Sequence, residues 1–216
     1  MRSKTHLIQR CQFGPPCVLA LMLVTLILSA CTLEVQPIES FTSADGFLSF
    51  TFPAHWDLVK AEYGAGSDAA LVATSDDLID HDVIPAGEAG VAVLLMPDFM
   101  PGPDGAPIRV TAQELAGLMR KSAITQQPGV SDLETVTLDN GAETYTFNAP
   151  SPEGNMKMHL FSPAQGTIAI VAFMTASEDV DAGILSDAKA ILESVRFSGD
   201  PVEFTERAHA IVDSGQ

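Results

Sequence analysis

Hydrophobic and polar residues alternate in several short segments of this chain, which is the pattern of β-strands with one buried face. The clearest example is residues 46–53, where Leu48, Phe50 and Phe52 would lie on one side of a strand that ends at a proline. A hairpin partner for this strand is expected at residues 56–59. The first part of the chain therefore predicts an antiparallel strand pair.

A second hairpin is predicted at residues 133–148. Its turn is Asn140-Gly141, a dipeptide suited to a two-residue turn in which both residues have positive φ. In that register Val136 would lie opposite Tyr145. Further strands are predicted at residues 69–74, 91–96, 156–161, 167–174 and 195–198. The segment 167–174 is apolar on both faces, which is typical of a strand in the middle of a sheet.

Two helices are predicted from their caps and apolar stripes. The first begins after Thr111, whose side chain can accept a hydrogen bond from the backbone N–H of Glu114 while the Glu114 carboxylate reaches back. Its stripe would contain Leu115, Leu118, Met119 and Ser122. The second helix would span residues 177–194, with a buried stripe at Val180, Ile184, Ala188, Ile191 and Val195.

This order of elements predicts an α+β domain with a mainly antiparallel β-sheet of about six or seven strands packed by helices. We expect the domain at residues 43–199, with a polar tether at 31–42 before it and a C-terminal tail at 200–216. The chain is 46% hydrophobic, which argues against disorder.

Residues 1–30 have the features of a signal peptide. A cationic start without acidic residues leads into the apolar run Val18–Ala30, whose thirteen residues are fewer than the roughly 20 that a membrane-spanning helix needs. The run ends at a small-residue cleavage site, Leu28-Ser29-Ala30-Cys31. This tetrapeptide resembles the bacterial lipobox, in which the cysteine is acylated and the preceding peptide is removed. An uncleaved anchor helix is the alternative.

Charge excludes some partners. Cleavage would remove three of the 11 basic residues and none of the 28 acidic ones, so the formal net charge would change from −17 to −20. The remaining cations are scattered, whereas nucleic acids and anionic headgroups are bound by clustered Lys and Arg, and we exclude both as direct ligands. Contact with the membrane is expected only through lipid on Cys31.

Two segments resemble PsbP-like domains. Residues 45–56, Asp-Gly-Phe-Leu-Ser-Phe-Thr-Phe-Pro-Ala-His-Trp, are similar to the opening strand and the Phe-Pro-x-x-Trp turn of that family. Residues 191–197, Ile-Leu-Glu-Ser-Val-Arg-Phe, are similar to its closing helix and strand. The resemblance covers residues 43–199 and implies an α/β/α sandwich that serves mostly as a non-enzymatic binding or assembly module. No position here matches the metal-related histidines of some members.

An acidic loop contains the densest group of potential metal ligands in the chain, namely Asp76, Asp77, Asp80, His81 and Asp82. Carboxylate oxygens from one loop can hold Ca²⁺, and His81 can contribute to a zinc or manganese site. The spacing matches no EF-hand, and a solvated acidic loop is the alternative interpretation. No cofactor is expected.

The proline-rich loop 97–107 is the best candidate for a contact surface. Phe99 and Met100 are large apolar residues in this loop, and we expect them to anchor a partner protein. The alternative is that both side chains fold back over the sheet edge.

Motifs of catalysis are absent from the sequence: there is no Gly-x-Ser-x-Gly elbow, no His-Glu-x-x-His pair and no Walker lysine. We therefore expect a non-enzymatic lipoprotein at the extracytoplasmic face of the cell membrane, or facing the periplasm in a two-membrane host. Its domain would bind or assemble an envelope complex through an envelope protein partner. A small-ligand or metal carrier that uses the acidic loop 76–82 is the alternative.

Overall fold

A seven-stranded antiparallel sheet is the centre of the computed structural model, which describes residues 36–64, 67–75, 85–102, 106–151, 154–176 and 180–214. Within these residues the strands are β1 (Ile38–Thr42), β2 (Leu48–Pro53), β3 (Asp57–Gly64), β4 (Ser67–Ala73), β5 (Ala89–Pro97), β6 (Phe99–Pro101), β7 (Pro107–Arg109), β8 (Glu134–Thr137), β9 (Glu143–Ser151), β10 (Gly154–Phe161), β11 (Thr167–Thr175) and β12 (Arg196–Phe197). The helices are α1 (Ala112–Gln126), α2 (Ala182–Ser194) and α3 (Pro201–Ser214).

Strand β11 lies in the middle of the large sheet, whose order is β3-β4-β5-β11-β10-β9-β8. Its side chains alternate between two apolar clusters, with Ile168 and Ile170 in one and Ala169 and Val171 in the other. A strand covered on both faces needs apolar residues at every position, so the prediction of a central strand at 167–174 is confirmed.

The two faces of the large sheet are covered by different elements. Helix α1 packs on one face through Leu115 and Ala116. The other face carries a cluster that includes residues of α2, of α3 and of the small sheet β1-β2-β12. Helices and a second sheet on an antiparallel sheet confirm the α+β prediction.

The partner predicted for strand β2 is wrong. Strand β2 pairs with β1 and β12, whereas β3 pairs with β4 in the large sheet. The backbone N–H of Trp56 donates to the carbonyl of Pro53, and this turn sends the chain from one sheet to the other. Strand β1 uses residues that the sequence assigned to the tether, because Phe41 is buried against the ring of Phe50 at a centroid distance of 5.1 Å.

The register predicted for the hairpin of β8 and β9 is wrong by one residue. Val136 lies opposite Thr144 rather than Tyr145. The loop has three residues, because the Leu138 N–H donates to the Ala142 carbonyl and Gly141 adopts a φ of +83°. A glycine at the third loop position is the other common way to close a hairpin, and the sequence Asn-Gly fits both.

Much of the predicted buried stripes is confirmed: Leu115 of α1 and Ala188, Ile191 and Val195 in or after α2 are buried. Thr111 and Glu114 form the predicted capping box at the start of α1. Leu118 is 52% exposed, while the small residues Ala112 and Ala116 face the sheet. Helix α2 starts later than predicted, with Asp181 accepting a hydrogen bond from the Gly183 N–H at its first turn.

The C-terminal tail is a helix of the folded domain. The compact unit spans Pro37–Gln216, and Phe204 of α3 is fully buried in the core that also contains Trp56. The assignment of residues 200–216 to a tail beyond the domain therefore differs from the structure. None of the helices formed by the described residues has the length and hydrophobicity that a membrane span requires.

Candidate functional site

An open groove of about 280 Å³ lies between strands β9, β10 and β11 and the start of α2. Lys157 of β10 pairs with Asn148 of β9 on one side and with Phe173 of β11 on the other. Residues paired across an antiparallel sheet point to the same face, so these three side chains form one row. Leu185 of α2 lies on the opposite wall of the groove.

The next row on the same face of the sheet also contains polar side chains, and it is more buried than the first. His159 pairs with Thr146 on one side and with Val171 on the other. Thr146 is 3% exposed, and neither its Oγ1 atom nor Nδ1 of His159 has a hydrogen-bond partner among the described residues. Buried polar atoms are paired in most proteins, and these two lie one row behind the groove.

Lys157 gives the groove a positive charge. Several other basic side chains of the described residues have acidic partners, for example Arg109 with Asp98 and Lys189 with Asp139, both at 2.7 Å. Lys157 is exposed and has no carboxylate within 4.0 Å among the residues that the structure describes. In a chain of formal charge −17, such a cation is the group that attracts an anion to this groove.

His159 is neutral at pH 7. Burial, together with the smaller effect of the positive charge of Lys157, lowers the pKa of His159 to about 4. The imidazole therefore offers one nitrogen donor and one acceptor, and the charge of the groove comes from Lys157.

The pH dependence of stability is expected to reveal this buried histidine. Below pH 6.5 His159 becomes protonated in the unfolded chain, whereas in the folded chain it stays neutral down to about pH 4. The folded state therefore loses stability as the pH falls through this window. We expect a loss of about 2 kcal/mol between pH 7 and pH 5 from this group. Urea unfolding of wild type and His159→Gln at both pH values measures it as a difference.

A matched control for this titration is Thr146→Val, which removes the neighbouring unpaired hydroxyl but no titratable group. This variant should keep the wild-type pH dependence. An equal loss of stability in wild type and His159→Gln would contradict the assignment.

The residues predicted as sites from the sequence fall mostly outside the described residues. These are the cleavage and lipidation residues Leu28, Ser29, Ala30 and Cys31, and the acidic-loop residues Asp76, Asp77, Asp80, His81 and Asp82. Within the described part of the chain, no group of three or more His, Cys, Asp or Glu side chains is placed to hold a metal ion.

Phe99 and Met100, predicted to anchor a partner, lie in the β6–β7 hairpin. Phe99 is only 8% exposed, and Met100 is partly buried against the cluster that contains Leu115. Apolar side chains placed this way offer little surface to a partner. Their burial agrees with the alternative in which both fold back onto the domain.

Arg207 forms a partly buried ionic cluster that sequence analysis missed. Its guanidinium pairs with Asp45 and with Asp68, the latter at 3.0 Å, and lies about 5 Å from the ring centroids of Phe47 and Phe204. Asp68 is fully buried. Burial raises the pKa of Asp68 and lowers that of Arg207, because it disfavours both charged forms. The cluster joins the loop before β2, strand β4 and helix α3.

Known proteins offer similarity of fold only. No protein-family model and no curated protein matches the sequence. Solved structures similar to this chain include the cyanobacterial PsbP protein CyanoP from Synechocystis sp. PCC 6803, with 16% identity over 77% of this chain and 96% of that protein, and a TM-score of 0.43.

Two further solved structures are similar, with lower sequence identities and lower TM-scores. A protein from Bacteroides thetaiotaomicron shares 12% identity over 75% of this chain and 49% of its own length, with a TM-score of 0.42. LpqN of Mycobacterium tuberculosis, described as involved in cell envelope biogenesis, shares 13% identity over 80% of this chain and 97% of its own length, with a TM-score of 0.35.

Proposed function

We propose that the chain is an extracytoplasmic lipoprotein whose domain is a non-enzymatic binding or assembly module for an envelope complex. The observation that carries the proposal is the segment Leu28-Ser29-Ala30-Cys31 directly after an apolar run too short to span a membrane. Acylation of Cys31 supplies two or more hydrocarbon chains, and at about 0.8 kcal/mol per buried methylene two chains make attachment stable.

The length of the connection supports a role close to the membrane. Cys31 and Ile38, the first residue of β1, are seven residues apart. An extended chain of that length spans no more than about 25 Å, so the lipid keeps the domain near the membrane surface. The formal charge of −20 after cleavage repels anionic lipid headgroups and leaves the surface of the domain available to a protein partner.

Replacement of Cys31 tests the anchor. In wild type we expect a membrane-bound protein that incorporates labelled palmitate and whose intact mass lacks residues 1–30. Cys31→Ser should lose the label and keep the leader peptide, because the thiol is the acyl acceptor.

Cys17→Ser is the matched control, since this cysteine lies upstream of the cleavage site and follows no lipobox-like triplet. It should be processed and labelled like wild type. A wild-type protein that retains its leader, or that is released into the medium in the presence of globomycin, would contradict the anchor.

A small-ligand or metal carrier that uses residues 76–82 is the second candidate, because this loop contains five potential ligands. Purification from detergent-solubilised membranes separates the two functions. An envelope protein recovered in stoichiometric amount supports the binding module, whereas a lone protein with bound Ca²⁺, Zn²⁺ or Mn²⁺ supports the carrier. In the carrier, the double variant Asp80→Ala/Asp82→Ala should lose the ion in equilibrium dialysis.

A further inference from the structure

We propose that the groove between strands β9–β11 and the start of α2 is a binding site for a small organic anion with one carboxylate and an apolar body. The site is independent of the lipid anchor and of the acidic loop. Its two parts are the polar side chains of Lys157 and Asn148 on the sheet and the apolar side chains of Phe173, Val180 and Leu185.

The carboxylate is recognised by Lys157 and Asn148. The two residues are paired neighbours across β10 and β9, and both side chains are exposed at the groove. The lysine ammonium supplies charge and three donors, and the asparagine amide supplies two more donors. Because Lys157 has no acidic partner among the described residues, an incoming carboxylate breaks no ion pair within that part of the chain.

The apolar body of the ligand contacts side chains that are otherwise exposed, wholly or partly, to water. Leu185 is 48% exposed although it faces the groove, and Phe173 and Val180 are partly buried beside it. Removing such apolar surface from water favours binding in proportion to the buried area. The volume of about 280 Å³ lies at the lower limit for small-molecule sites and admits one fused ring system rather than a long chain.

The row behind Lys157 and Asn148 is also polar but does not line the groove. Thr146 Oγ1 and His159 Nδ1 have no hydrogen-bond partner among the described residues, and each is two residues further along the same strands as Asn148 and Lys157. His159 does not compete with Lys157 for the anion, because burial keeps the imidazole neutral at pH 7.

Calorimetric titration with naphthoate, and with uncharged naphthamide as its matched analogue, tests the site. We expect naphthoate to bind wild type saturably. The affinity of Lys157→Gln should be lower by a factor of about ten or more, since a hydrogen-bonded charge is lost. Naphthamide should bind wild type about tenfold more weakly than naphthoate and should be insensitive to Lys157→Gln. Leu185→Ser should weaken both compounds.

Lys121→Gln is the control, because Lys121 is an exposed lysine of α1 and also has no acidic partner among the described residues. This variant should bind naphthoate like wild type. Absence of saturation at about 10 mM naphthoate, or equal affinity of Lys157→Gln and wild type, would overturn the proposal. Neither result affects the lipidation of Cys31, so the two proposals fail separately.

Discussion

Replacement of Arg207 by alanine is expected to lower the free energy of unfolding by about 3–5 kcal/mol, as found when one partner of a buried ion pair is removed. Asp68 is fully buried, and its Oδ1 accepts from the Arg207 guanidinium at 3.0 Å. Without the guanidinium, this carboxylate stays in the core without its cation. The aliphatic and planar surface of Arg207 against Phe47 and Phe204 is lost as well.

Urea denaturation of Arg207→Ala, Asp68→Asn and the double variant measures the coupling. In the double variant the buried charge is gone, so the second substitution should cost less than it does alone. Arg196→Ala is the control, because Arg196 is exposed and, among the described residues, donates to the backbone carbonyls of Glu193 and Val195 and to no carboxylate. A loss below about 1 kcal/mol is expected there. Equal losses for Arg207→Ala and Arg196→Ala would show that the cluster does not stabilise the domain.

The pH dependence of the same variants identifies the carboxylate responsible. Burial raises the pKa of Asp68, so the folded state binds the proton more tightly than the unfolded state, and the cost of burying the charge grows as the pH rises through this window. The difference in free energy of unfolding between wild type and Arg207→Ala should therefore become smaller as the pH falls toward the ordinary pKa of an aspartate. When Arg207→Ala/Asp68→Asn is compared with Asp68→Asn, the loss in free energy of unfolding should be independent of pH over this range.

The sequence correctly predicted elements that are determined by residues close together in the chain. The capping box of Thr111 and Glu114 and the double-sided apolar strand 167–174 are complete within a few residues, and both are present in the structure. Pairing over a distance was less predictable. The turn at Trp56 changes sheets, and no property of residues 56–59 alone distinguishes a hairpin partner of β2 from the first strand of another sheet.

The candidate site depends on register, which is why the sequence did not reveal it. Lys157, Asn148 and Phe173 share a face only because of the pairings of β10 with β9 and β11. A shift of one residue in either pairing would put the neighbouring strand's side chain on the opposite face. The Arg207 cluster is hidden for a related reason: Arg207 and Asp68 are 139 residues apart, and nothing near either residue marks it as buried.

Truncation after Gly199, the end of the domain predicted from the sequence, is expected to leave a largely unfolded chain. Phe204 is fully buried and its ring lies 5.2 Å from that of Phe47 and 5.6 Å from that of Phe197. Loss of a buried phenylalanine side chain typically costs about 3–5 kcal/mol. Loss of Arg207 adds a cost of similar size, and together they approach the whole stability of a typical domain, about 5–15 kcal/mol.

Truncation after Ala208 separates the contribution of residues 201–208 from that of the rest of α3. This variant keeps Phe204, Arg207 and the buried Ala208, and it should retain most of the wild-type stability. Circular dichroism melting of the chain ending at 216, 208 and 199, each with Cys31→Ser to avoid acylation, compares them directly. If the chain ending at 199 melted within a few degrees of the full chain, residues 43–199 would form a self-sufficient domain and α3 would be an accessory. The ionic cluster argues against that outcome, because the truncated chain would bury Asp68 without the cation that pairs with it.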